Sequence, residues 1–557
     1  MTLIKTSYNR RSFLKTSTVA GGGFVLGFSW LASCQTSSPA EVAEVMKSMP
    51  EEWFDINAFL KIGENGLVTI MSPNPEIGQN VKTAMPMIVA EELDVAWKDV
   101  VVEQAPLDTK KYKRQLAGGS QSIRQGWQGL RMAGATARRM LLETAAKQWE
   151  VPVGELTTSE GIIYHKASGK EMGYGAVASA ANGVMVPEEV ALKDPKDFKI
   201  IGFDQRNVDG KQIVTGQPLF GLDIQEEGMK IAMIEHPPAF GMKLKSFNGD
   251  AIKGMPGVTD VFTINTQPEG IELQWSDGNN YFPELVAIVG ETTWQVMKAK
   301  KALDVKWDQA TKAESSTDHE ATLSKLMSAK AKEVARRDGN PEQAFANSNK
   351  VIERTYSAPF LAHNTMEPMN FYADVQADKA VLNGPIQTPE FAIKTVAALL
   401  GMPEEKIHMG MTRMGGGFGR RLYGHFVMEA AVISQKAKAP IKLVYTREDD
   451  MTNGVYRPAY KVTYRAALDD DNNLVAFHVR GAGTHGSPVF ANRFPAGAVD
   501  NYLAENHTKE SNISTGAWRA PRSNFIACAE QCFLDEVAKE AGKDPICLLY
   551  TSPSPRD

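Results

Sequence analysis

The chain carries a glycine-rich segment at residues 414–421, in which four glycines fall within five positions around Phe418. Glycine has no β-carbon, so another group can approach the backbone closely, and positive φ angles let successive N–H groups converge on an anion. The two arginines that end the segment are planar, permanently charged donors that suit phosphate. The segment has neither the Gly-Lys-Ser/Thr ending of a phosphate-binding loop nor the G-x-G-x-x-G spacing of a dinucleotide fold. It is therefore either a ligand-binding nest or a surface loop with a solvated charge pair.

The composition is that of a globular protein with more than one core. The chain has 557 residues, of which 43% are hydrophobic and 23% are charged, and its formal net charge is −5. This length allows several domains. The slightly negative charge, without a basic cluster, argues against nucleic-acid binding. We therefore expect a multi-domain globular protein whose partners do not include nucleic acid.

The N-terminus has the pattern of an export signal. Residues 9–15 (NRRSFLK) carry the twin-arginine signature, and an apolar stretch follows to residue 32. That stretch is shorter than the ~20 apolar residues of a transmembrane helix. Residues 31–34 (LASC) resemble a lipobox, so Cys34 is either lipidated or incidental. We expect an export signal over 1–34, a tether over 35–52, and a periplasmic protein with at most a lipid anchor. Because this route carries proteins folded around cofactors, the signal is indirect evidence for a cofactor.

The number and spacing of the four cysteines argue against a cofactor bound by thiolates. Besides Cys34, the chain has Cys528, Cys532 and Cys547, and none stands in a C-x-x-C or C-x-x-C-H spacing. Cys528 and Cys532 are one helical turn apart in an apolar stretch, which predicts buried core cysteines. The chain is therefore predicted to hold no iron–sulfur cluster and no covalent haem of its own.

Strand and helix patterns alternate along the chain, which predicts an α+β fold. Long helices are predicted over residues 81–93 and 122–149. The patterns divide the chain into four segments: a first region over 53–200, a middle α+β region over 201–310, a helical linker over 311–350 and a last region over 351–546. The first and last regions share a plan of a strand, a glycine-bearing turn with a glutamine, and a long helix. Two similar halves that grip one extended cofactor would explain this plan.

Several short motifs occur in the order known from one family. They are IGQNVKTA at 77–84, GGSQS at 118–122, GPIQTP at 384–389, RMGGGFGRR at 413–421 and GAWRAP at 516–521. Together they resemble the molybdopterin-binding large subunit of the xanthine dehydrogenase/aldehyde oxidase family, in the branch of the isoquinoline 1-oxidoreductase beta subunit and periplasmic aldehyde dehydrogenases. The resemblance covers residues 53–546. It implies a multi-domain α+β fold with two similar cofactor-gripping halves and a hammerhead-like middle domain.

The resemblance also implies a cofactor and a set of site residues. The cofactor is a molybdenum centre on molybdopterin cytosine dinucleotide, and no side chain is predicted to bind the metal directly. Three residues receive catalytic roles: Gln387 beside the oxo ligand of the metal, Phe418 at the edge of the metal, and Arg519 as a cation that stabilises developing negative charge. The residues implied to bind the cofactor are Gln79, Gly119, Ser120, Ser122, Gly416, Gly417 and Gly419.

Each side-chain role has a structural alternative. Gln79 and Gln387 could be turn residues whose amides face solvent. Ser120 and Ser122 could cap a loop. Arg519 could belong to a structural ion pair. The histidines have no metal-site spacing such as H-x-x-x-H, so we expect them to be core or surface residues.

The activity that the resemblance implies is the hydroxylation or oxidation of an aldehyde or an N-heteroaromatic compound with oxygen from water. Two electrons must then leave, and this chain has no iron–sulfur cysteines. The expected partner is therefore a small [2Fe–2S] subunit, a c-type cytochrome, or both. The motifs do not identify the substrate. Residues 363–368 (HNTMEP) resemble a family segment near the substrate channel, and we expect Glu367 to position that loop.

The family pattern stops after residue 546. Relatives continue with a segment that holds the glutamate base, whereas here prolines at 553 and 555 interrupt any helix. We expect residues 547–557 to be a non-native tail, the last region to be incomplete, and the base to be absent from this chain. Two other functions stay open: a non-catalytic cofactor-binding remnant, and an exported ligand-binding lipoprotein if the motif matches are coincidental.

Overall fold

The computed structural model describes residues 49–551 except 183, 188, 278–281, 283, 310 and 312. The predicted export signal, Cys34 and residues 35–48 of the predicted tether lie outside the described residues, as do residues 552–557 of the predicted tail. Within the described part, no helix has the length and apolarity needed to cross a membrane.

Strands and helices alternate, as expected for an α+β fold. The strands are β1 Trp53–Asn57, β2 Leu60–Gly63, β3 Val68–Ser72, β4 Val100–Gln104, β5 Leu156–Ser159, β6 Ile162–His165, β7 Lys170–Gly173, β8 Lys230–Glu235, β9 Met242–Phe247, β10 Val258–Asn265, β11 Glu284–Gly290, β12 Val305–Gln309, β13 Glu333–Asp338, β14 Lys350–Ala358, β15 Asn370–Val375, β16 Ala380–Gly384, β17 Ile407–Met411, β18 Ile441–Val444, β19 Tyr460–Leu468, β20 Leu474–Thr484 and β21 Asn501–Lys509. The helices are α1 Val81–Leu93, α2 Ser122–Trp149, α3 Tyr174–Ala181, α4 Gly210–Val214, α5 Gly249–Lys253, α6 Thr293–Ala302, α7 Ser316–Ser328, α8 Pro341–Asn347, α9 Pro389–Leu400, α10 His425–Ala437, α11 Arg447–Thr452, α12 Ser523–Glu540 and α13 Pro545–Thr551.

The first region packs a four-stranded sheet on two long helices. The sheet has the order β1-β2-β3-β4, with β3 and β4 parallel. Helices α1 and α2 have the predicted bounds. They approach so closely at Gly134 that a β-carbon there would lie 2.3 Å from the carbonyl oxygen of Val89. Both helices share one apolar core with the sheet. The turn before α1 and the loop before α2 therefore extend from a rigid base.

A seven-stranded sheet joins the middle region to the last region. Its order is β10-β11-β8-β18-β15-β16-β17, in which β8 runs parallel to β18. The strands of the middle region thus extend the sheet of the last region, a connection that the local pattern does not reveal. Both faces of this junction are apolar, because Ala232 and Ile234 face one core and Ile231 and Met233 face another. Helices α9 and α10 lie against the sheet and position the loops that follow β16 and β17.

The third large sheet has the order β13-β21-β20-β19-β14 and packs against α12 and α7. Strand β13 lies inside residues 311–350, where the sequence predicts only helix. The helices α7 and α8 do form there, but β13 lies between them and pairs with β21. Pairing with a strand that comes much later in the chain determines this element, and local composition carries no signal for it.

The prediction that Cys528 and Cys532 are buried is wrong. Both are exposed on α12. The helix buries its other face, which includes Phe525, Ala529 and Phe533, against the third sheet. The two cysteines are one turn apart, as predicted, but they fall on the side that does not face the core.

Candidate functional site

The glycine segment lies where the other predicted segments meet. The amide of Met414 donates to the carbonyl of Glu76 at 3.1 Å, and the amide of Gln387 donates to the carbonyl of Arg421 at 2.9 Å. The amide of Arg519 donates to the carbonyl of Phe418 at 2.7 Å. The structure therefore brings the turn before α1, the GPIQTP turn and the GAWRAP segment together around residues 414–421.

The glycines of this segment are required by close packing. A β-carbon on Gly417 would lie 2.6 Å from Oε1 of Gln387, and one on Gly419 would lie 2.0 Å from the carbonyl oxygen of Ala517. Gly416 and Gly419 also have φ angles of 100° and 102°, which favour glycine. Part of the close approach that the sequence assigned to a ligand is therefore an approach to neighbouring protein groups.

Gln387 connects the glycine segment to the first region. The residue is 2% exposed. Its Nε2 donates to the carbonyl of Ala117 at 2.7 Å, and its Oε1 accepts from the amide of Gly419 at 3.3 Å. The backbone amide of Ala117 also donates to the carbonyl of Gln387 at 2.9 Å. The alternative of a solvent-facing turn residue is wrong, because both atoms of this amide bond across the site.

Phe418 and Arg519 stand at the open side of the segment. Phe418 has a φ angle of 55° and a side chain that is 36% exposed. A non-glycine residue in this left-handed region is strained, and such strain concentrates at functional sites. Arg519 is exposed, and among the described residues no carboxylate lies within ion-pair distance of it. The structural ion pair considered for Arg519 is therefore not observed in the described part of the chain.

The other predicted residues occupy two turns of the first region. Gln79 closes its own turn, since its Oε1 accepts from the amide of Ile77 at 2.7 Å and its Nε2 donates to the carbonyl of Pro75 at 3.2 Å. Ser122 accepts from the side chain of Asn74 at 2.9 Å. The turn role considered for Gln79 is thus present, whereas the bond that Ser122 accepts comes from Asn74 in another turn of the chain. Whether either residue also contacts a cofactor stays a prediction.

The loop before α2 presents backbone groups beside Gln387. Gly119 and Ser120 have φ angles of 63° and 54°, so two successive residues are left-handed. Both are exposed, whereas the preceding Ala117 is buried. This conformation turns the loop outward next to the amide of Gln387. The predicted cofactor-binding positions Gly119 and Ser120 therefore lie in an exposed, strained turn at the edge of the site.

The two arginines that end the glycine segment are not a solvated pair. Arg421 is fully buried, and it donates to the carbonyl of Gly416 at 2.9 Å and to the carbonyl of Glu367 at 2.8 Å. Burial lowers the pKa of Arg421 to about 10, although the nearby carboxylate of Glu367 opposes the shift. Arg420 is 2% exposed and donates to Nε2 of His425 at 3.1 Å. Both arginines hold the segment from inside the protein, so the phosphate role that their chemistry suggested does not apply.

Glu367 holds the glycine segment in place. Its Oε2 accepts from the amide of Gly415 at 2.8 Å and forms an ion pair with Arg421 at 3.1 Å. Its Oε1 accepts from the amide of Leu222 at 3.1 Å and from Nδ2 of Asn370 at 3.0 Å. A carboxylate with four donors in a buried position is fully satisfied. Glu367 was expected to position its own loop at residues 363–368, and these contacts join that loop to the glycine segment.

Sequence reasoning missed a buried acid beneath the segment. Glu429 on α10 is fully buried, and Tyr445 Oη donates to its Oε2 at 2.5 Å. Burial raises the pKa of Glu429 to about 8, although this hydrogen bond and the charge of Arg420 oppose the shift. The residue stands in a helical apolar pattern without a motif, so nothing in the sequence singled it out. Its carboxyl group keeps its proton at neutral pH.

This raised pKa predicts a pH-dependent stability that Glu429→Gln removes. Between pH 4.5 and 8 the unfolded chain ionises this carboxyl while the folded chain keeps the proton, so stability falls as pH rises. From pH 5 to pH 7.5 the wild type should lose about 3 kcal/mol relative to Glu429→Gln, at 1.36 kcal/mol per pH unit. Urea unfolding of both proteins at the two pH values measures the difference. If the difference in unfolding free energy between the two proteins is the same at both pH values, Glu429 is ionised in the folded protein.

The sequence matches the molybdopterin cofactor-binding domain twice, over residues 21–223 and residues 326–550. The first match contains Gln79 and the loop before α2, and the second contains Gln387, the glycine segment and Arg519. The chain belongs to the xanthine dehydrogenase/aldehyde oxidase family of molybdopterin-binding large subunits. The relatives that the chain matches are named as dehydrogenases and oxidoreductases.

Relatives of this family match most of the chain. The membrane-bound aldehyde dehydrogenase [pyrroloquinoline-quinone] of Gluconacetobacter polyoxogenes is 26% identical over 97% of this chain and 72% of its own length. The isoquinoline 1-oxidoreductase subunit beta of Brevundimonas diminuta is 26% identical over 93% of this chain and 73% of its own length. The aldehyde oxidoreductase of Desulfovibrio gigas has a similar multi-domain α+β fold, with a TM-score of 0.51 and 19% identity over 69% of this chain. This chain spans about half of that solved chain (47%).

The residues at the site fit a molybdopterin cofactor. The two matched regions meet at Gln387, whose amide reaches Ala117 in one region and Gly419 in the other. Ser120 and Phe418, which follow Ala117 and precede Gly419 in the chain, both have left-handed φ angles. Within the described residues no cluster of three His, Cys, Asp or Glu side chains could hold a metal ion. The site offers backbone N–H groups, amides and cations, which suit a cofactor that brings its own metal ligands.

Proposed function

We propose that this chain is the large subunit of a molybdenum-dependent oxidoreductase that oxidises an aldehyde or an N-heteroaromatic compound with oxygen from water. The observation that carries the proposal is the position of Gln387, which bonds across the two molybdopterin cofactor-binding regions next to the glycine segment. The names of two relatives, an aldehyde dehydrogenase and an isoquinoline 1-oxidoreductase, support this pair of substrate classes.

The bound cofactor supplies the two-electron chemistry, and the protein orients the substrate and the charges around it. Gln387 uses one hydrogen of Nε2 for Ala117, so its second hydrogen would be available to an acceptor of the bound cofactor. Phe418 presents an apolar ring that excludes water from the reacting atoms. Arg519 provides a cation without a carboxylate partner among the described residues, and this cation stabilises negative charge that develops on the substrate oxygen.

We also propose the dinucleotide form, the partner and the location. The cofactor is molybdopterin cytosine dinucleotide, held by Gln79, Ser120, Ser122 and the backbone of the glycine segment. Electrons leave through a small [2Fe–2S] subunit or a c-type cytochrome, because the cysteine spacing of this chain suits no cluster. The twin-arginine signature at residues 9–15 supports export to the periplasm, with lipidation at Cys34 as the proposed anchor.

Cofactor analysis tests the proposal directly. The full chain is produced in a host that makes the cytosine dinucleotide, and molybdenum, released CMP and pyrroloquinoline quinone are measured in the purified protein. We expect about one molybdenum and one CMP per chain, and no quinone. Quinone without molybdenum would overturn the proposal in favour of the cofactor named for the relative from Gluconacetobacter polyoxogenes. Bound molybdenum without dye-coupled turnover of any aldehyde or heterocycle would favour the non-catalytic remnant.

Gln387→Ala should reduce turnover more than it reduces cofactor content. The variant loses a hydrogen-bond donor at the reacting centre, and removing such a donor costs a factor on the order of 10² in kcat. Dye-coupled kinetics, normalised to molybdenum content, measure the effect. The matched control is Gln376→Ala, because Gln376 is exposed and its amide bonds only Asp374 in the described structure. Equal kcat per molybdenum in wild type and Gln387→Ala would remove Gln387 from the catalytic residues.

A further inference from the structure

Arg114 is a strained cation beside the loop that precedes α2. Its φ angle is 58°, in the region that disfavours side chains. Its Nη2 makes a long contact of 3.4 Å to the carbonyl of Gly118. Its Nη1 is buried and has no hydrogen-bond partner among the described residues. A buried guanidinium nitrogen without an acceptor is costly, so this arrangement points to an acceptor that is not part of the described chain.

Arg114 also has no ion-pair partner among the described residues. Burial lowers its pKa, and Arg124 lowers it further, while Glu390 opposes the shift. No carboxylate of the described residues forms an ion pair with either arginine. Arg124 stands in the first turn of α2, where the helix dipole already adds positive charge and basic residues are disfavoured. Two cations and a positive helix end thus lie together without an ion-paired carboxylate among the described residues.

This cationic pair is next to the predicted cofactor site. Four residues after Arg114, Gly118 packs against the last region, because a β-carbon on Gly118 would lie 3.2 Å from Cδ2 of Leu422. Ala117, between them, is the partner of Gln387. The exposed left-handed turn at residues 119–120 then leads into α2 and Arg124. The two arginines therefore flank, along the chain, the loop whose Ala117 bonds Gln387.

We propose that Arg114 and Arg124 bind the diphosphate of the dinucleotide cofactor. A diphosphate suits the planar donors of arginine, because each guanidinium can present two N–H groups to phosphate oxygens. It also supplies the acceptor that Nη1 of Arg114 lacks. This inference rests on the proposed function, and it adds two arginines to the residues that the motifs implied for cofactor binding.

Cofactor retention at two salt concentrations tests the inference. Wild type, Arg114→Gln, Arg124→Gln and Arg114→Lys are purified from the same cofactor-producing host and dialysed at low and high sodium chloride. Molybdenum and CMP per chain are then measured, together with the urea midpoint as a check on folding. We expect each Gln variant to retain at least about tenfold less cofactor at high salt, where the remaining charge interaction is screened. Arg114→Lys, which keeps the charge, should retain most of it.

The matched control is Arg139→Gln on the same helix, because Arg139 is partly exposed and pairs with Glu143 one turn away. It should retain cofactor like the wild type. Equal retention by wild type and both Gln variants at high salt would overturn the inference while leaving the proposed function intact. A wild type without molybdenum would instead reject the proposed function. Inorganic pyrophosphate added to cofactor-free protein gives a second reading: binding weakened by Arg114→Gln supports the inference, and binding that the substitution leaves unchanged contradicts it.

Discussion

Glu367→Gln is expected to destabilise the protein by about 3–5 kcal/mol, because it leaves the buried guanidinium of Arg421 without its carboxylate. The glutamine side chain keeps the shape of the glutamate but carries no charge. With its NH2 group at the position of Oε2, it can no longer accept the hydrogen bonds from Gly415 and Arg421. The glycine segment then loses its fixed position. Urea unfolding monitored by intrinsic fluorescence, with molybdenum content measured in parallel, detects both effects.

Two further proteins identify the cause of this loss. Glu342→Gln removes an exposed carboxylate that pairs with Arg337, and it should cost less than about 1 kcal/mol. The double variant Glu367→Gln with Arg421→Met removes both charges, and it should be more stable than Glu367→Gln alone. A double variant that is less stable than the single one would show that the ion pair is not the source of the effect.

Gly419→Ala should greatly reduce cofactor content, by at least about tenfold. The new β-carbon would lie 2.0 Å from the carbonyl oxygen of Ala517, and the alanine would also have to adopt a φ angle of 102°. The neighbouring backbone must move, and that backbone carries Arg519, whose amide bonds Phe418. The expected result is a folded protein with little molybdenum and little turnover, measured by metal analysis and dye reduction.

Gly401→Ala is the control that separates the effect of the steric clash at residue 419 from the effect of the positive φ angle. Gly401 ends α9 with a φ angle of 64°, and a β-carbon there meets no atom within 4 Å. Its substitution should cost about 1 kcal/mol through the φ angle alone and should leave the cofactor bound. If Gly401→Ala and Gly419→Ala lose cofactor equally, the close approach to Ala517 is not what maintains the site.

The sequence predicted the parts of this fold that depend on local pattern. Helices α1 and α2 were predicted with their observed bounds, because an apolar face repeated at helical spacing over many residues is a strong signal. Strand β13 was missed because its partner β21 lies far along the chain. The exposed cysteines of α12 were missed because an apolar stretch does not reveal which face of a helix meets the core.

The candidate site was likewise predicted only in part. The motifs placed Gln387, the glycine segment and the backbone of Arg519 together, and the structure brings them into contact. The sequence could not show that Arg420 and Arg421 point inward, since a charge pair beside glycines suits a phosphate equally well. Arg114 was also missed, because only its unpartnered nitrogen in three dimensions distinguishes it from other loop arginines.

The shared seven-stranded sheet has a consequence for dissecting the chain. Strand β18 pairs with β8 on one side and with β15 on the other, and all four of its residues are buried. Expressing residues 351–546 alone would remove β8 and leave β18 as a bare apolar edge, which invites pairing between molecules. The middle and last regions should therefore behave as one unit of expression and of unfolding. A boundary between the first region and β8, outside this sheet, is the better place to separate the halves that surround Gln387.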